Sequence, residues 1–207
     1  MANSESGAIT TIDLLRHGRT TQDDIFRGRV NTPLSEEGYQ QMQASLGDLL
    51  TTPPWQQIVT SPLQRCRDFA RDLADRHQLR LHEDAGFIEM DFGDWDGQSF
   101  ASVRAQYPEL MSKIWREPHN YSPPNGETFA AFSARIVAHW HTMIAAHQNQ
   151  HLLLVCHGGV IRTLLSYVMQ APASAMSRIE VPYASFSRIK VYHHPGAADW
   201  PQLVFHR

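Results

Sequence analysis

The sequence has few of the features that mark secreted, membrane or nucleic-acid-binding proteins. Only two cysteines, Cys66 and Cys156, occur in 207 residues, and each lies in an apolar pattern that predicts a buried small residue. No stretch is long and apolar enough to span a bilayer. Met1 to Ala8 lacks the basic start and apolar run of a signal peptide. The net charge of −3 provides no global basic field. We therefore expect a cytoplasmic protein that binds neither nucleic acid nor membranes.

Hydrophobic residues make up 42% and charged residues 19% of the chain, as in ordinary globular proteins. Segments with strand-like and helix-like patterns alternate along it. The predicted strands are 9–15, 57–60, 80–82, 152–155, 185–192 and 202–205, and helices are predicted after Ser35, at Ser61-Pro62, near Ser99, at Thr128 and at Val160. Residues 1–8 are expected to be a flexible N-terminus. The alternation over residues 9–207 predicts one α/β domain.

Three predicted strands end in polar residues that could carry chemistry. Arg16-His17-Gly18 follows the first strand, Ser61-Pro62 the second, and His157-Gly158 the apolar run 152–155. Ligands of open α/β sheets bind at the carboxyl ends of strands, so we expect these segments and the helix carrying Arg65 to converge. Arginines there could bind phosphate oxygens. A neutral imidazole is a nucleophile near pH 7, and a nearby carboxylic acid could protonate a leaving alcohol.

Four motifs, in the same order along the chain, resemble the signature of the histidine phosphatase superfamily, also called the phosphoglycerate mutase-like family. They are Leu15–Thr20 (LRHGRT), Arg27-Gly28-Arg29 with Pro33-Leu34-Ser35 and Gly38, Ser61–Cys66 (SPLQRC), and Leu154–Val160 (LVCHGGV). The resemblance runs from about Ile9 to Tyr192. It implies a single three-layer α/β/α domain with a mostly parallel central sheet and a phosphoglycerate mutase-like fold.

The resemblance also implies a role for individual residues. His17 would be the nucleophile and form a phosphohistidine. Glu89 would protonate the leaving oxygen and then activate water, with Asp91 as the rival acid. The groups expected to bind the phosphoryl group are Arg16, Arg65 and His157, with hydrogen bonds from Thr20 and from the backbone near Gly28 and Gly158. Arginine and imidazolium charge would replace a metal ion. We therefore expect no metal, no organic cofactor, and a small-molecule phosphate monoester as the binding partner.

Asp23 departs from the family pattern, which usually has a small amide residue, often Asn, at this position. A carboxylate there would repel a bound phosphate. Either Asp23 points away, or it pairs with an arginine such as Arg19 or Arg27, or the substrate preference differs.

The middle of the chain resembles the α-ribazole phosphatases of cobalamin synthesis. The segments that carry this resemblance are Glu89–Gly97 (EMDFGDWDG), Asn125–Phe129 (NGETF) and Gly158–Arg162 (GGVIR). Phe92, Trp95 and Trp115 could face an aromatic base or only pack the loop. Glu127 could contact substrate, cap the long helix or hold Arg135.

These segments predict a phosphatase acting on α-ribazole 5′-phosphate or a phosphorylated cobalamin precursor. The alternatives are a phosphoglycerate mutase, a phosphatase for another small metabolite, and a non-enzymatic phosphate-binding protein. Against the mutase, the span from Gly97 to Asn125 is short and leaves less lid to exclude water. The carboxylates of Asp23, Asp24, Asp91, Asp94 and Asp96 are expected around the pocket and would repel the carboxylate of a phosphoglycerate.

Overall fold

A sheet of six strands lies at the centre of the part of the chain that the structure describes, residues 8–118 and 120–207. In this computed structural model the strands are β1 (Ile9–Arg16), β2 (Gln57–Thr60), β3 (Arg80–Glu83), β4 (His151–Cys156), β5 (Phe186–Tyr192) and β6 (Trp200–His206). Their order across the sheet is β3-β2-β4-β1-β5-β6. The pairs β1–β4, β2–β4 and β2–β3 are parallel, whereas β5 runs antiparallel to both β1 and β6. The predicted mostly parallel sheet is confirmed.

Helices cover both faces of this sheet. They are α1 (Glu36–Leu46), α2 (Gln64–His77), α3 (Phe100–Gln106), α4 (Pro108–Arg116), α5 (Phe129–Ala146) and α6 (Gly158–Val168). Helices α1 and α2 pack on the face that carries Leu15, and α5 and α6 pack on the face that carries Ile12 and Leu14. The three-layer α/β/α arrangement is therefore confirmed. No helix among the described residues is long and apolar enough to cross a membrane.

Capping residues explain where several helices begin. The Ser35 hydroxyl accepts a hydrogen bond from Gly38 N at the start of α1, and the Thr128 hydroxyl caps α5 in the same way. Pro108 occupies the first turn of α4, where its missing N–H costs nothing. Helix α2 begins at Gln64, later than the predicted start at Ser61-Pro62. The Ser61 hydroxyl instead lies 2.8 Å from the His157 ring.

A buried carboxylate ties β1 to its neighbours. Asp13 is fully buried and accepts hydrogen bonds from Arg188 Nε and Nη2, from Trp55 Nε1 and from His151 Nε2. Burial acts to raise the pKa of Asp13, but the hydrogen bonds from His151, Arg188 and Trp55 outweigh it and lower that pKa. These contacts join β1 to β4 and β5, and so they hold the strand that presents Arg16 and His17.

Candidate active site

A cavity opens at the carboxyl ends of the parallel strands, where the sequence pattern predicted that polar residues converge. It is lined by the cations Arg16, Arg19, Arg27 and Arg162, by His17, Asp23, Asp24 and Glu89, and by Ile25, Phe26, Phe92, Phe100, Trp115 and Tyr183. Of the predicted site residues, His17, Arg16 and Glu89 are therefore in the cavity wall. Thr20, Gly28, Arg65, His157 and Gly158 surround or underlie it.

His17 has the geometry of a nucleophile. Its ring is 4% exposed, and Nδ1 lies 2.8 Å from the carbonyl oxygen of Gly18. Because a carbonyl oxygen only accepts, Nδ1 carries the proton and Nε2 keeps its lone pair. Burial lowers the pKa of His17 well below its usual value of 6.5, and the charges of Arg65 and Arg16 lower it further. The imidazole is therefore neutral and able to attack an electrophile at neutral pH.

Two arginines that line this cavity, Arg16 and Arg27, each bind a group of the segment 181–183. Arg16 Nη1 donates to Val181 O at 2.6 Å, and Arg27 Nη1 donates to the Tyr183 hydroxyl at 3.3 Å. Among the described residues, no hydrogen-bond partner is found for the buried Nε atoms of these two arginines. Leaving a buried charged donor unpaired is costly, and the positive charges of the two guanidinium groups favour an anion in the cavity that both residues line. Arg27 was missed as a site residue, although its motif had been noted.

Arg65 and His157 form a layer beneath His17. Arg65 is fully buried and donates to Val30 O and Gly28 O, at 2.8 and 2.9 Å, and to His157 Nδ1 at 3.2 Å. His157 Nε2 then carries the ring proton and donates to the Ser61 hydroxyl. In this structure these donors bind groups of the protein, and direct binding of phosphate by Arg65 and His157 stays a prediction. Arg65 acts on the cavity through its charge.

The expected imidazolium at position 157 needs correction. Burial lowers the pKa of His157 well below its usual value, and the positive charge of Arg65 adds to that effect. The ring of His157 lies 5.3 Å from that of His17, measured between centroids. These surroundings favour a neutral imidazole at His157, beside the ring of His17.

Two of the three predicted minor phosphate contacts make hydrogen bonds within the protein. Thr20 Oγ1 donates to Gln22 O at 2.7 Å, and Gly28 N donates to Asp96 Oδ1 at 2.8 Å. Binding of phosphate by these groups stays a prediction. Gly158 is the first residue of α6, and a Cβ there would lie 3.3 Å from Arg16 Nε. Glycine at this position lets the Arg16 guanidinium approach the end of the helix.

Of the two carboxyl groups predicted as the acid, Glu89 lies in the cavity wall and Asp91 does not. Glu89 lines the cavity, and its Oε2 accepts a hydrogen bond from Gly159 N at 2.9 Å. A Cβ at position 159 would lie 2.2 Å from Glu89 Oε1, so glycine is required for this approach. Asp91 instead accepts a hydrogen bond from Gly93 N and lies 3.9 Å from Arg29. It shapes the loop and does not line the cavity.

The alternatives left open for Asp23 and Glu127 are resolved by ion pairs. Asp23 Oδ2 lies 3.2 Å from Arg19 Nε, so its carboxylate is paired although it borders the cavity. Glu127 forms a two-point pair with Arg135, with Oε2 2.8 Å from Nη2 and Oε1 3.1 Å from Nε. Arg135 in turn donates to the carbonyl oxygens of Gly86 and Ile88, next to Glu89. Through Arg135, Glu127 thus holds the backbone that precedes Glu89.

The aromatic and acidic side chains of the middle segment divide between core and cavity. Trp95 is 1% exposed and packs with Phe26, and it borders an apolar cavity next to Glu89. Phe92 and Trp115 do line the cavity. The expected acidic cluster is wrong for Asp91, Asp94 and Asp96, which bond to the protein instead. Asp94 pairs with the Asn125 amide, and Asp96 accepts the N–H groups of residues 28–30.

The fold and cavity define an α/β protein with a neutral histidine facing an anion-binding pocket at the carboxyl edge of the sheet. In the described part of the chain, no three His, Cys, Asp or Glu side chains are grouped so that they could hold a metal ion. The model of the histidine phosphatase superfamily (branch 1) matches residues 12–200. The chain therefore belongs to the histidine phosphatase superfamily.

The relatives have several different activities in their names. A bifunctional protein of Mycobacterium tuberculosis is 32% identical over 90% of this chain, which spans about half (51%) of that relative. The adenosylcobalamin/alpha-ribazole phosphatase of Escherichia coli is 30% identical over 86% of this chain and 88% of its own. A 2,3-bisphosphoglycerate-dependent phosphoglycerate mutase of Bartonella tribocorum is also 30% identical, over 75% of this chain and 79% of its own.

A solved structure confirms the fold. The mycobacterial glucosyl-3-phosphoglycerate phosphatase superposes with a TM-score of 0.83 at 26% identity, covering 95% of this chain and 97% of its own. The phosphoglycerate mutase-like fold predicted from the sequence is thus shown, together with similarity to phosphatases. These comparisons do not identify one substrate, because relatives of similar identity are named for different ones.

The lowered pKa values of His17 and His157 predict how stability depends on pH. In the unfolded chain each imidazole takes up a proton near pH 6.5, whereas both stay neutral well below that pH in the folded protein. Falling pH therefore favours the unfolded chain. Below pH 6.5 we expect each histidine to reduce the free energy of unfolding by up to about 1.4 kcal/mol per pH unit.

Denaturant titrations between pH 5 and 8 measure this effect. The double variant His17→Gln/His157→Gln should lose stability less steeply than the wild type as the pH falls. His82→Gln is the control, because His82 is exposed on β3 and should leave the slope unchanged. Equal slopes for wild type and double variant would contradict the neutral state of the two buried rings.

Proposed function

We propose that this protein hydrolyses phosphate monoesters of small molecules through a phosphohistidine on His17, without a metal ion or organic cofactor. The observation that carries the proposal is the neutral His17 ring, whose Nδ1 proton is bound to Gly18 O while Nε2 is left as the nucleophile. Arg16 and Arg27 border the same cavity with buried, unpaired Nε–H groups. The positive charge of both guanidinium groups would stabilise the oxygens of a phosphoryl group placed in this cavity.

In the first step, His17 Nε2 attacks phosphorus and the bond from phosphorus to the ester oxygen breaks. The protonated Glu89 carboxyl gives its proton to the departing oxygen, so the leaving group departs as a neutral alcohol. Arg16 and Arg27 stabilise the charge on the non-bridging oxygens, and buried Arg65 adds positive potential from below.

In the second step, the Glu89 carboxylate takes a proton from a water molecule, whose oxygen attacks phosphorus. The bond from phosphorus to His17 Nε2 breaks, which releases inorganic phosphate and restores the neutral imidazole. The same carboxyl group thus serves as acid and then as base. The hydrogen bonds from Gly159 N and Met90 N hold it at the cavity wall in both steps.

An apolar cavity beside Glu89 supports an uncharged, largely apolar leaving group. It shares Glu89, Phe92, Trp115 and Arg162 with the cationic cavity. Its other walls include Met90, Ile114, Pro118, Tyr121, Pro123, Phe129, Phe132 and Met176. A leaving alcohol protonated by Glu89 would therefore extend into aromatic and aliphatic surroundings, which suit a nucleoside with an apolar base.

This chemistry favours α-ribazole 5′-phosphate, or a phosphorylated cobalamin precursor, over a phosphoglycerate. Of the described residues that line the apolar cavity, Arg162 is the only cation, and its Nε already donates to Ile179 O at 2.9 Å. A phosphoglycerate would place a carboxylate in these largely apolar surroundings, where burial of a charge without a partner is costly. The mutase remains the second candidate because of the relative of that name.

We expect His17→Ala to lower turnover of any good substrate by at least about 1,000-fold, because no second histidine and no cysteine line the cavity in the described part of the chain. Quenched reactions with a labelled substrate, run in EDTA, should show acid-labile, alkali-stable label on the wild type and none on His17→Ala. The control is His82→Ala, which removes an exposed histidine on β3. Equal labelling of all three proteins, or activity that chelation abolishes and a metal restores, would contradict the mechanism.

The Glu89 role predicts a dependence on the leaving group. For an alkyl phosphate, whose alkoxide is basic, Glu89→Gln should lower kcat by about 100-fold or more. For p-nitrophenyl phosphate, whose leaving group needs no proton, we expect a loss of less than about 10-fold. Asp91→Asn is the matched control and should affect both substrates alike, since Asp91 shapes the loop. A uniform loss in Glu89→Gln would show that Glu89 is structural.

The substrate proposal is tested by comparing kcat/KM for α-ribazole 5′-phosphate and 3-phosphoglycerate at one pH. We expect the first value to be higher. Trp115→Ala should raise KM for α-ribazole 5′-phosphate by about 5- to 10-fold, the worth of one aromatic contact, without changing inhibition by inorganic phosphate. Trp200→Ala, which alters an exposed tryptophan on β6, is the control. A preference for 3-phosphoglycerate, or mutase turnover with 2,3-bisphosphoglycerate, would overturn the substrate assignment.

A further inference from the structure

Tyr183 contacts both arginines that carry unpaired donors. It belongs to the segment 179–184, which leads from the end of a short 3₁₀ helix (Ala173–Arg178) to β5. The Arg16 guanidinium carbon lies 4.3 Å from the centre of the Tyr183 ring. The hydroxyl group at the other end of the ring accepts a hydrogen bond from Arg27 Nη1 at 3.3 Å. One side chain thus links the cation at the end of β1 with a cation of the loop that follows it.

The backbone around Tyr183 is held to the end of β1. Ala184 N donates to His17 O at 3.2 Å, and Arg16 N donates to Ser185 O at 3.0 Å. Ala184 has a φ of 56°, a conformation that costs a residue with a side chain about 1 kcal/mol or more. This turn is held by the neighbouring hydrogen bonds, and the Tyr183 ring borders the cavity 5.9 Å from the His17 ring.

Two arginines near one another repel when no anion lies between them. Burial has the largest effect on the pKa of Arg16 and lowers it. Tyr183 and Glu89 raise that pKa, whereas the positive charges of Arg162 and Arg27 lower it. An aromatic face attracts a guanidinium, and more strongly where water is excluded. The Val181 carbonyl fixes Arg16 from a second direction, through the 2.6 Å bond to Nη1. Segment 181–183 therefore offsets repulsion that would otherwise separate the two guanidinium groups.

We infer that Tyr183 is a positioning residue that holds Arg16 and Arg27 ready for a phosphoryl group before substrate binds. The inference rests on the proposed function, and it adds that the arginines are arranged in advance by an aromatic ring and its hydroxyl group. Such preorganisation acts most strongly on the transition state, where charge on the phosphoryl oxygens is greatest. Orthovanadate, which adopts a geometry similar to that transition state, is therefore the appropriate probe.

The test measures orthovanadate binding by calorimetry to the whole protein and three variants. Tyr183→Phe removes only the hydroxyl contact with Arg27 and should weaken binding about 5-fold. Tyr183→Leu also removes the ring beneath Arg16 and should weaken it about 50-fold. The matched control is Tyr192→Phe at the far end of β5, which should bind as the wild type does. A loss of folded protein would lower the stoichiometry but leave the dissociation constant of the folded fraction unchanged.

A double-mutant cycle tests whether the Tyr183 hydroxyl acts through Arg27. In an Arg27→Met background, Tyr183→Phe should cause no further weakening, because the residue that donates to the Tyr183 hydroxyl among the described residues is gone. Unchanged dissociation constants in both Tyr183 variants would overturn the inference. Equal weakening of orthovanadate binding by Tyr183→Phe with and without Arg27 would overturn it as well. In either case, hydrolysis of phosphate esters by the wild type would still support the proposed function. A wild type that neither binds orthovanadate nor hydrolyses phosphate esters would overturn both.

Discussion

Buried positive charge around a neutral imidazole is the interaction on which the rest of the site depends. Arg65 is enclosed beneath His17, and Arg16 borders the cavity beside it. Burial lowers the pKa of His17 most, and both charges lower it further. The guanidinium N–H groups of Arg16 and Arg65 donate mainly to backbone carbonyl groups, whereas the carboxylate of Glu89 acts on both arginines through its charge. Carbonyl oxygens neutralise less charge than a carboxylate would. The positive potential therefore stays available for a dianionic phosphoryl group.

The loops are built to supply those carbonyl groups. Residues 27–30 offer three carbonyl oxygens to Arg65, from Arg27, Gly28 and Val30. The N–H groups of residues 28, 29 and 30 point to the single carboxylate of Asp96. Asp96 belongs to the same loop as Glu89, so the proposed acid and the Arg65 layer are fixed by one set of contacts. A displacement of either loop would disturb both the acid and the charge beneath the nucleophile.

The sequence was sufficient to predict the layers of the fold and the centre of the site. Apolar periodicity located the strands, and polar residues at strand ends indicated where His17 would lie. The sequence could not show which groups of the protein accept the hydrogen bonds of Arg65 and of the Gly28 N–H, because these bonds join residues 35 to 92 positions apart. Tyr183 and Arg162 were absent from the predicted site for a related reason. Neither follows a predicted strand, and both reach the cavity only through tertiary packing.

The two ends of the site are built from different physical interactions. Charge and hydrogen bonds govern the phosphoryl end, whereas the cavity beyond Glu89 is formed mainly by apolar side chains from α4 and α5 and by Pro118, Tyr121 and Pro123. Apolar contacts are non-directional and tolerate substitution when volume is conserved. The leaving-group cavity can therefore change shape without moving His17, Arg16 or Arg27. This separation accounts for a family in which relatives of similar identity to this chain are named for different phosphorylated substrates.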